Sequence, residues 1–228
     1  MFDLVTVDVG NTNIAIAYFL NGEIQKKESK KTKYVSSRLR ISSADKIILS
    51  SVVPKVTEII LKKYPLAEVV TLQSLDNTSF PLNIGIDRAL NCVTAMSLYK
   101  TKDVLVIDLG TALTFTCCNN GKFKGGLIMP GYGTAKKVLS QNTALLPAEF
   151  DNVEINIFNV GTKDAMSAGV RNLYLLSIEA LIIKYKSSIK DLVVVLTGGD
   201  SLVFAEHINQ INIVNPTLLL EGLFLLAK

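Results

Sequence analysis

Hydrophobic and polar positions alternate in short blocks over the first hundred residues, and this pattern predicts strands and helices in mixed order. Two apolar runs, 4–9 and 14–19, flank the turn Gly10-Asn11-Thr12-Asn13 and predict a β-hairpin. The later blocks predict, in chain order, a strand at 46–53, a helix at 55–64, a short strand at 68–72, a loop at 76–83 and a helix at 87–99.

The second half of the chain has a similar pattern. A second strand pair, 104–109 and 113–118, surrounds the turn Gly110-Thr111-Ala112. The remaining predicted elements are a strand at 122–128, a long helix at 164–186, a strand at 192–196, a helix at 202–208 and a terminal helix at 217–228. Strands that alternate with helices are typical of the α/β class.

The two strand pairs form an internal repeat. The segment Val5-Thr6-Val7-Asp8-Val9-Gly10-Asn11-Thr12 parallels Leu105-Val106-Ile107-Asp108-Leu109-Gly110-Thr111-Ala112. Each copy is an apolar strand that carries one aspartate near its end, followed by a glycine turn and a second strand. We therefore expect two similar half-domains, residues 1–100 and 101–228, that face each other.

Length and composition agree with a folded protein of this size. The 228 residues are 49% apolar and 19% charged, which excludes the low-hydrophobicity profile of a disordered chain. The net charge of +4 is modest, and its densest basic run, 25–33, contains an acid. We interpret this run as a solvated loop or hairpin edge and expect no nucleic-acid partner, because no known DNA-reading motif accompanies it.

Several classes of protein are unlikely on composition alone. Apolar runs such as 192–196 and 218–220 fall well short of a bilayer span, and the first residues do not form a signal peptide, so we expect neither membrane nor export. Three cysteines suit a reducing cytoplasm. The single histidine, His207, argues against a catalytic triad or a zinc site. Carboxylates, Lys, Arg and backbone amides remain, and these groups catalyse phosphoryl transfer.

The glycine turns are candidate phosphate sites. A glycine turn lets several backbone N–H groups approach an anion, and Asp8 and Asp108 offer hard oxygen ligands for a cation beside the phosphates. One such turn alone could be an ordinary hairpin, but the matched pair favours a binding site. A third glycine turn, 197–200, is either part of that site or a strand-to-helix loop in which Asp200 or Ser201 caps the next helix.

The segment Gly85-Ile86-Asp87-Arg88 also allows two interpretations. Asp87 could be the N-cap of the helix that follows, with Arg88 facing solvent, and spacing alone favours this interpretation. Alternatively, Asp87 is a general base for an acceptor hydroxyl and Arg88 holds an anionic part of the acceptor.

Taken together, the motifs resemble those of the bacterial type III pantothenate kinases. The resemblance covers nearly the whole chain. It rests on motifs that occur in the order typical of the family: 8–12, 85–88, 108–112 with Thr114, 125–131, the segment from Thr162 to Gly169 that includes 165–166, 197–200 and 220–222. It implies duplicated ribonuclease H-like half-domains of the actin, Hsp70 and sugar-kinase type, with ATP in a central interdomain cleft. The implied activity is transfer of the ATP γ-phosphate to pantothenate, the first step of coenzyme A biosynthesis.

The resemblance also implies roles for individual residues. Asp87 would be the proton acceptor, Thr111 would contact the nucleotide, and Asp108 would bind a monovalent cation, K⁺ or NH₄⁺. The ATP phosphates, with Mg²⁺, would be bound by Asp8, Val9, Gly10, Asn11, Thr12, Asn13, Ile14 and Ala15. Pantothenate would be bound by Phe80, Gly85, Ile86, Asp87, Arg88 and Thr162. The resemblance further implies a homodimer, with this substrate near the subunit interface.

Two departures and one unexplained glycine stand out. Phe80 takes the place where many members carry a tyrosine, so it can pack but cannot donate a hydrogen bond, and the stretch 23–43 is the expected place of shortening. Gly169 interrupts a helical pattern, which costs about 1 kcal/mol and predicts close approach of another backbone, within the protomer or from a second subunit.

Two other functions remain possible from the sequence. The chain could be a nucleotide-binding accessory protein without turnover, although the joint presence of Asp8, Asp87, Arg88 and Asp108 favours a kinase. It could also be a kinase of the same superfamily for another small alcohol or sugar.

Overall fold

A computed structural model describes residues 1–35, 39–75, 79–147 and 156–228 of the chain. These residues form two compact units. Unit 1 comprises Met1–Lys100 with Thr217–Lys228, and unit 2 comprises Thr101–Pro216. Each unit contains one five-stranded sheet.

The sheet of unit 1 has the strand order β3-β2-β1-β4-β5. Its strands are β1 (Phe2–Val9), β2 (Asn13–Leu20), β3 (Glu23–Lys31), β4 (Ala44–Ser51) and β5 (Glu68–Val69). β1 pairs antiparallel with β2 and parallel with β4. Because side chains alternate along a strand, Val5, Val7 and Val9 share one face, where they pack with residues of helix α1 (Pro54–Lys63).

The opposite face of this sheet packs against α6 (Leu218–Ala227), and α6 packs against α2 (Ile86–Leu98). Phe19 of β2 stacks on Phe224 with ring centroids 4.4 Å apart. Gly222 lies so close to Thr94 of α2 that any Cβ at residue 222 would collide with the Thr94 hydroxyl. The C-terminal residues therefore group with unit 1, whereas the sequence analysis assigned them to the second half.

The sheet of unit 2 repeats the arrangement, with the order β10-β9-β6-β7-β8. Its strands are β6 (Val104–Leu109), β7 (Ala112–Asn119), β8 (Lys122–Pro130), β9 (Val193–Thr197) and β10 (Ile213–Val214). Its helices are α3 (Tyr132–Gln141), α4 (Thr162–Ser188) and α5 (Ser201–Ala205). As in unit 1, the first strand pairs antiparallel with the second and parallel with a later strand.

Both predicted hairpins and the helices α1, α2, α4 and α6 are confirmed. The basic run forms most of β3, an edge strand on which Glu28 bridges Lys26 and Lys30. The strand predicted at 68–72 is shorter, as is the helix predicted at 202–208, and α3 and β10 were missed. Of the predicted loop at 76–83, residues 79–83 lie outside helices and strands, and 76–78 fall outside the described residues.

Helix α4 is long and apolar enough to cross a membrane by length and composition, with a mean hydropathy of 1.3. In unit 2, however, its residues Tyr174, Ile178 and Ile182 are buried in the core with those of β6 and β9. The core helix of a globular unit meets the same criteria.

Candidate active site

The turn between β1 and β2 presents Asp8 at the end of a buried strand. Asp8 is half-buried, and the turn closes through a hydrogen bond from the Gly10 N–H to the Asn13 carbonyl, 3.0 Å. Thr32, the residue directly after β3, supports the turn, since its hydroxyl donates to the Gly10 carbonyl at 2.7 Å and its N–H donates to the Thr12 carbonyl at 3.0 Å. Asn11 stays exposed to solvent, which leaves this turn accessible to an anion.

The matching turn of unit 2 is enclosed by the start of α3. The Gly131 N–H donates to the Thr111 carbonyl at 3.0 Å, and the Thr134 hydroxyl donates to the same oxygen at 2.7 Å. A Cβ at residue 131 would collide with the backbone of Gly110 and Thr111. Glycine is therefore required at residue 131 to bring α3 against the turn.

The third glycine turn also packs against Asp108. Gly198 has a φ of +95°, and a Cβ there would collide with the Asp108 carboxylate and the Leu109 carbonyl. The Asp200 N–H donates to the Leu109 carbonyl at 3.0 Å, and the Ser201 hydroxyl donates to the Gly198 carbonyl at 2.7 Å. Three chain segments thus meet at residues 108–111.

Asp200 is the N-cap residue of α5, but its side chain makes no capping hydrogen bond there. Its carboxylate instead accepts a hydrogen bond from the Gly133 N–H in the first turn of α3. Burial raises the pKa of Asp200, while the Gly133 N–H and the charge of Lys136 act in the opposite direction. Asp200 thereby connects the third glycine turn to α3.

Asp87 lies in the first turn of α2 and is half-buried. The N-cap is Gly85, so the expectation that Asp87 is the N-cap is wrong. The Asp87 carboxylate instead accepts the N–H of Arg88 at 2.8 Å, and it lies where a Cβ on Gly85 would be. The side chain of Asp87 is therefore held at the N-terminal end of α2.

The remaining predicted substrate residues are divided between the units. Phe80 is buried in unit 1. Gly85, Ile86 and Arg88 lie at the start of α2 in the same unit. Thr162 is the first residue of α4 in unit 2 and is exposed. Unit 1 therefore contains Asp8 and Asp87, and unit 2 contains Asp108 and Thr111.

The sequence analysis missed the contacts that Gly131, Thr134 and Asp200 make around Thr111. The family motif includes Pro130-Gly131, but its role depends on contacts between segments distant in sequence.

The donor chemistry fits a phosphate-bound cation rather than a dedicated metal cage. Within the described ranges, no cluster of three or more His, Cys, Asp or Glu side chains could hold a metal ion. Mg²⁺ in nucleotide sites commonly takes one or two carboxylates, with water and phosphate oxygens completing its coordination. A single carboxylate beside a glycine turn, as at Asp8 or Asp108, satisfies that requirement.

Two further features of unit 2 do not suit the chemistry of phosphate. An apolar cavity of about 400 Å³ lies between α3, α4 and the sheet, and Leu113, Met129, Val138, Val170 and Tyr174 contribute to its lining. Burial raises the pKa of the Cys117 thiol to about 11, so this residue is not a reactive thiolate at neutral pH.

Each sheet begins with a hairpin whose first strand carries an aspartate near its end, directly before a glycine turn. This duplicated arrangement defines a protein of the actin, Hsp70 and sugar-kinase fold class. A polyphosphate/ATP-glucomannokinase from Arthrobacter sp. strain KM shares this fold, with 14% identity, a TM-score of 0.52 and coverage of 100% of this chain and 99% of that one. The sequence profile of the type III pantothenate kinases matches residues 4–184. The chain belongs to the type III pantothenate kinase family.

The chain is also similar to individual proteins along nearly its whole length. A type III pantothenate kinase of Ehrlichia canis is 31% identical over 250 residues, which cover 98% of this chain and 95% of the relative. A solved structure from Campylobacter jejuni, described as a Baf family transcriptional activator, is 25% identical with a TM-score of 0.68. The alignment covers 97% of this chain and 96% of the Campylobacter jejuni chain.

Proposed function

We propose that this protein transfers the γ-phosphoryl group of ATP to the primary hydroxyl of pantothenate and so forms 4′-phosphopantothenate, the first step of coenzyme A biosynthesis. The observation that carries the proposal is the family match over residues 4–184, which includes Asp8, Asp87 and Asp108. We expect the protein to act in the cytoplasm, without a membrane or nucleic-acid partner.

Residues 8–15 and Thr111 bind the nucleotide in this proposal. The backbone of the first turn holds the phosphates, and Asp8 holds the Mg²⁺ that accompanies them. Bound Mg²⁺ neutralises part of the phosphate charge, which is the main electrostatic requirement of phosphoryl transfer. Asp108 binds the monovalent cation, K⁺ or NH₄⁺. The location of ATP between the two half-domains stays a prediction.

Asp87 accepts the proton of the pantothenate hydroxyl. Its carboxylate is held by the Arg88 N–H, which keeps one oxygen in a defined direction. The Arg88 guanidinium binds the pantothenate carboxylate, because a planar fork of donors matches two carboxylate oxygens. Gly85, Ile86, Phe80 and Thr162 complete the acceptor site, with Phe80 contributing packing in place of a phenolic hydrogen bond.

The protein acts as a homodimer through one face of α4. Thr162, Ala165, Gly169, Leu173, Leu176, Ala180 and Ile183 follow helical spacing and are all exposed. Leu173, Leu176 and Ile183 are each more than half exposed, which is unfavourable for a lone subunit. No described residue comes within 4 Å of a Cβ added at Gly169, so the described part of the protomer shows no close backbone there, and we assign the expected approach to a second subunit.

The proposed activity is tested by measuring ADP release from ATP with pantothenate and with a panel of sugars, in K⁺ and in Na⁺. We expect ADP release that requires pantothenate and is faster in K⁺. Release with a sugar alone would support a different kinase of the superfamily. ATP binding without release for any acceptor would support the accessory role that the name of the Campylobacter jejuni structure suggests for that protein.

The role of Asp87 is tested with Asp87→Asn. Removing a general base typically lowers kcat by about 10²–10⁴-fold, and ATP affinity should stay close to that of the wild type. Asp45→Asn, which removes an acid elsewhere in unit 1, is the control for net charge. Wild-type kcat in purified Asp87→Asn would contradict the assignment.

The homodimer is tested with Gly169→Leu by light scattering. Wild type should scatter as twice the 24.8 kDa chain mass, and Gly169→Leu should shift towards the monomer because the new side chain occupies the contact. Ser188→Leu introduces the same side chain on α4 away from this face and should remain dimeric. A Gly169→Leu protein that stays fully dimeric would contradict an α4 interface.

A further inference from the structure

On the face of the first sheet that carries Asp8, two hydroxyl groups are buried without a hydrogen-bond partner in the described part of the chain. The Ser50 and Thr6 side-chain oxygens have no hydrogen-bond partner among the described residues, and both residues are completely buried. A buried hydroxyl without a partner destabilises a folded protein. Such a group in a native sheet calls for an explanation, and a functional partner is one.

Strand register places Ser50 beside Asp8. In the parallel pair of β1 and β4, Asp8 is directly opposite Ser50, so the two side chains project from the same face of the sheet. The neighbouring pair, Val7 and Leu49, projects from the other face, into the apolar core. Thr6 shares the face with Asp8 but is opposite Ile48, so it is not in register with the carboxylate.

Unit 2 contains the same arrangement. Asp108 on β6 is directly opposite Thr197 on the parallel strand β9, and Thr197 is buried. The collision of a Gly198 Cβ with the Asp108 carboxylate shows that this side chain leans towards β9. In each half of the repeat, the aspartate is therefore directly opposite a hydroxyl residue on the adjacent parallel strand.

We propose that Ser50 and Thr197 are positioning residues for Asp8 and Asp108. Each hydroxyl donates a hydrogen bond to its aspartate when the carboxylate binds a cation beside the phosphates. One carboxylate oxygen then faces the cation while the other accepts the hydroxyl, which fixes the plane of the carboxylate. This inference rests on the proposed function only in taking MgATP as the ligand.

The test measures MgATP affinity directly, by calorimetry, in the absence of pantothenate. Ser50→Ala should weaken MgATP binding about tenfold, the loss expected for one hydrogen bond to a charged group. Thr197→Val should weaken it similarly when K⁺ is present, whereas Thr197→Ser keeps the hydroxyl and should bind as the wild type does. Thr197→Ser only removes atoms, so it introduces no steric conflict.

Thr6→Val is the matched control, because it removes a buried hydroxyl of the same face that is out of register with Asp8. It should leave MgATP affinity unchanged. Without ligand, Ser50→Ala and Thr6→Val should unfold at the wild-type temperature or above it, because each removes a buried hydroxyl that has no described partner. The stabilisation by added MgATP should shrink in Ser50→Ala and Thr197→Val and stay unchanged in Thr6→Val.

Wild-type MgATP affinity in both Ser50→Ala and Thr197→Val would overturn the inference, as would an equal loss in Thr6→Val. Its failure is distinct from failure of the proposed function. If the wild type binds MgATP but does not phosphorylate pantothenate, the proposed function fails, and the same binding measurements still decide the roles of Ser50 and Thr197.

Discussion

The two aspartate turns have matching strands but different supports. The turn after β1 is supported by Thr32, which directly follows the edge strand β3 and donates two hydrogen bonds to carbonyls of the turn. The turn after β6 is enclosed by α3 and by the third glycine turn, which come from segments distant in sequence. A strand pattern can therefore be duplicated while the contacts that hold each turn diverge.

The difference follows from where glycine is needed. In unit 2, Gly131 and Gly198 allow backbones to approach the turn where any side chain would collide. In unit 1, the close contact is within the turn itself, since a Cβ on Gly10 would lie 3.1 Å from the Asn13 carbonyl oxygen. The loss of stability caused by alanine at each of these glycines therefore distinguishes a turn held by other segments from a turn held by its own backbone.

The largest expected effect is that of Gly198→Ala. The positive φ and the collision with Asp108 and Leu109 should together lower the free energy of unfolding by about 3 kcal/mol. Urea denaturation measures this loss. Gly199→Ala is the control, because no described residue comes within 4 Å of a Cβ at that position, and it should change stability by less than about 0.5 kcal/mol. Equal stabilities for the two variants would contradict the enclosed turn.

A smaller effect distinguishes Gly10 from its counterpart in the repeat. Gly10→Ala should cost about 1 kcal/mol, because the Asn13 carbonyl must shift to admit the methyl group. Gly110→Ala should cost close to nothing, since its Cβ would lie 3.5 Å from Asp108 Oδ1, an ordinary contact. Thermal unfolding of both variants measures the difference. A larger loss for Gly110→Ala would show that the second turn is the tighter one internally.

The smallest expected effect is a pH dependence at Asp200. Burial raises the pKa of this carboxyl in the folded state, so the stability that it contributes is complete below its unfolded pKa and is lost as pH rises through its folded pKa. Asp200→Asn keeps an oxygen for the Gly133 N–H and does not ionise. The stability of Asp200→Asn relative to wild type should therefore rise with pH over that interval, as measured by denaturation from pH 4 to 8. A constant difference would contradict the buried position of this carboxylate.

Most strands and the repeat could be predicted because their signals are local. The apolar runs 4–9 and 14–19 predict buried strands, and Asp8 interrupts its run at the same place as Asp108 does in its copy. The family motifs then identified Asp87, although its position in the second residue of α2, rather than at the N-cap, depends on where the helix begins.

The missed features depend on contacts that local patterns do not encode. Helix α3 directly follows Pro130-Gly131, and its position is set by contacts of Gly131 and Thr134 with the backbone of Thr111, which is distant in sequence. Helix α6 is apolar on most sides, which predicts burial but not the sheet that it covers. Its position in unit 1 follows from Gly222, which admits Thr94, and from the stacking of Phe224 on Phe19.

The central claim, that this chain phosphorylates pantothenate, is tested most directly by the mass of the product. The purified protein is incubated with ATP, Mg²⁺, K⁺ and pantothenate, and the acceptor is analysed by mass spectrometry together with the ADP formed. We predict pantothenate heavier by one phosphoryl group, in amounts equal to the ADP. Unmodified pantothenate from a protein that binds MgATP would contradict the account.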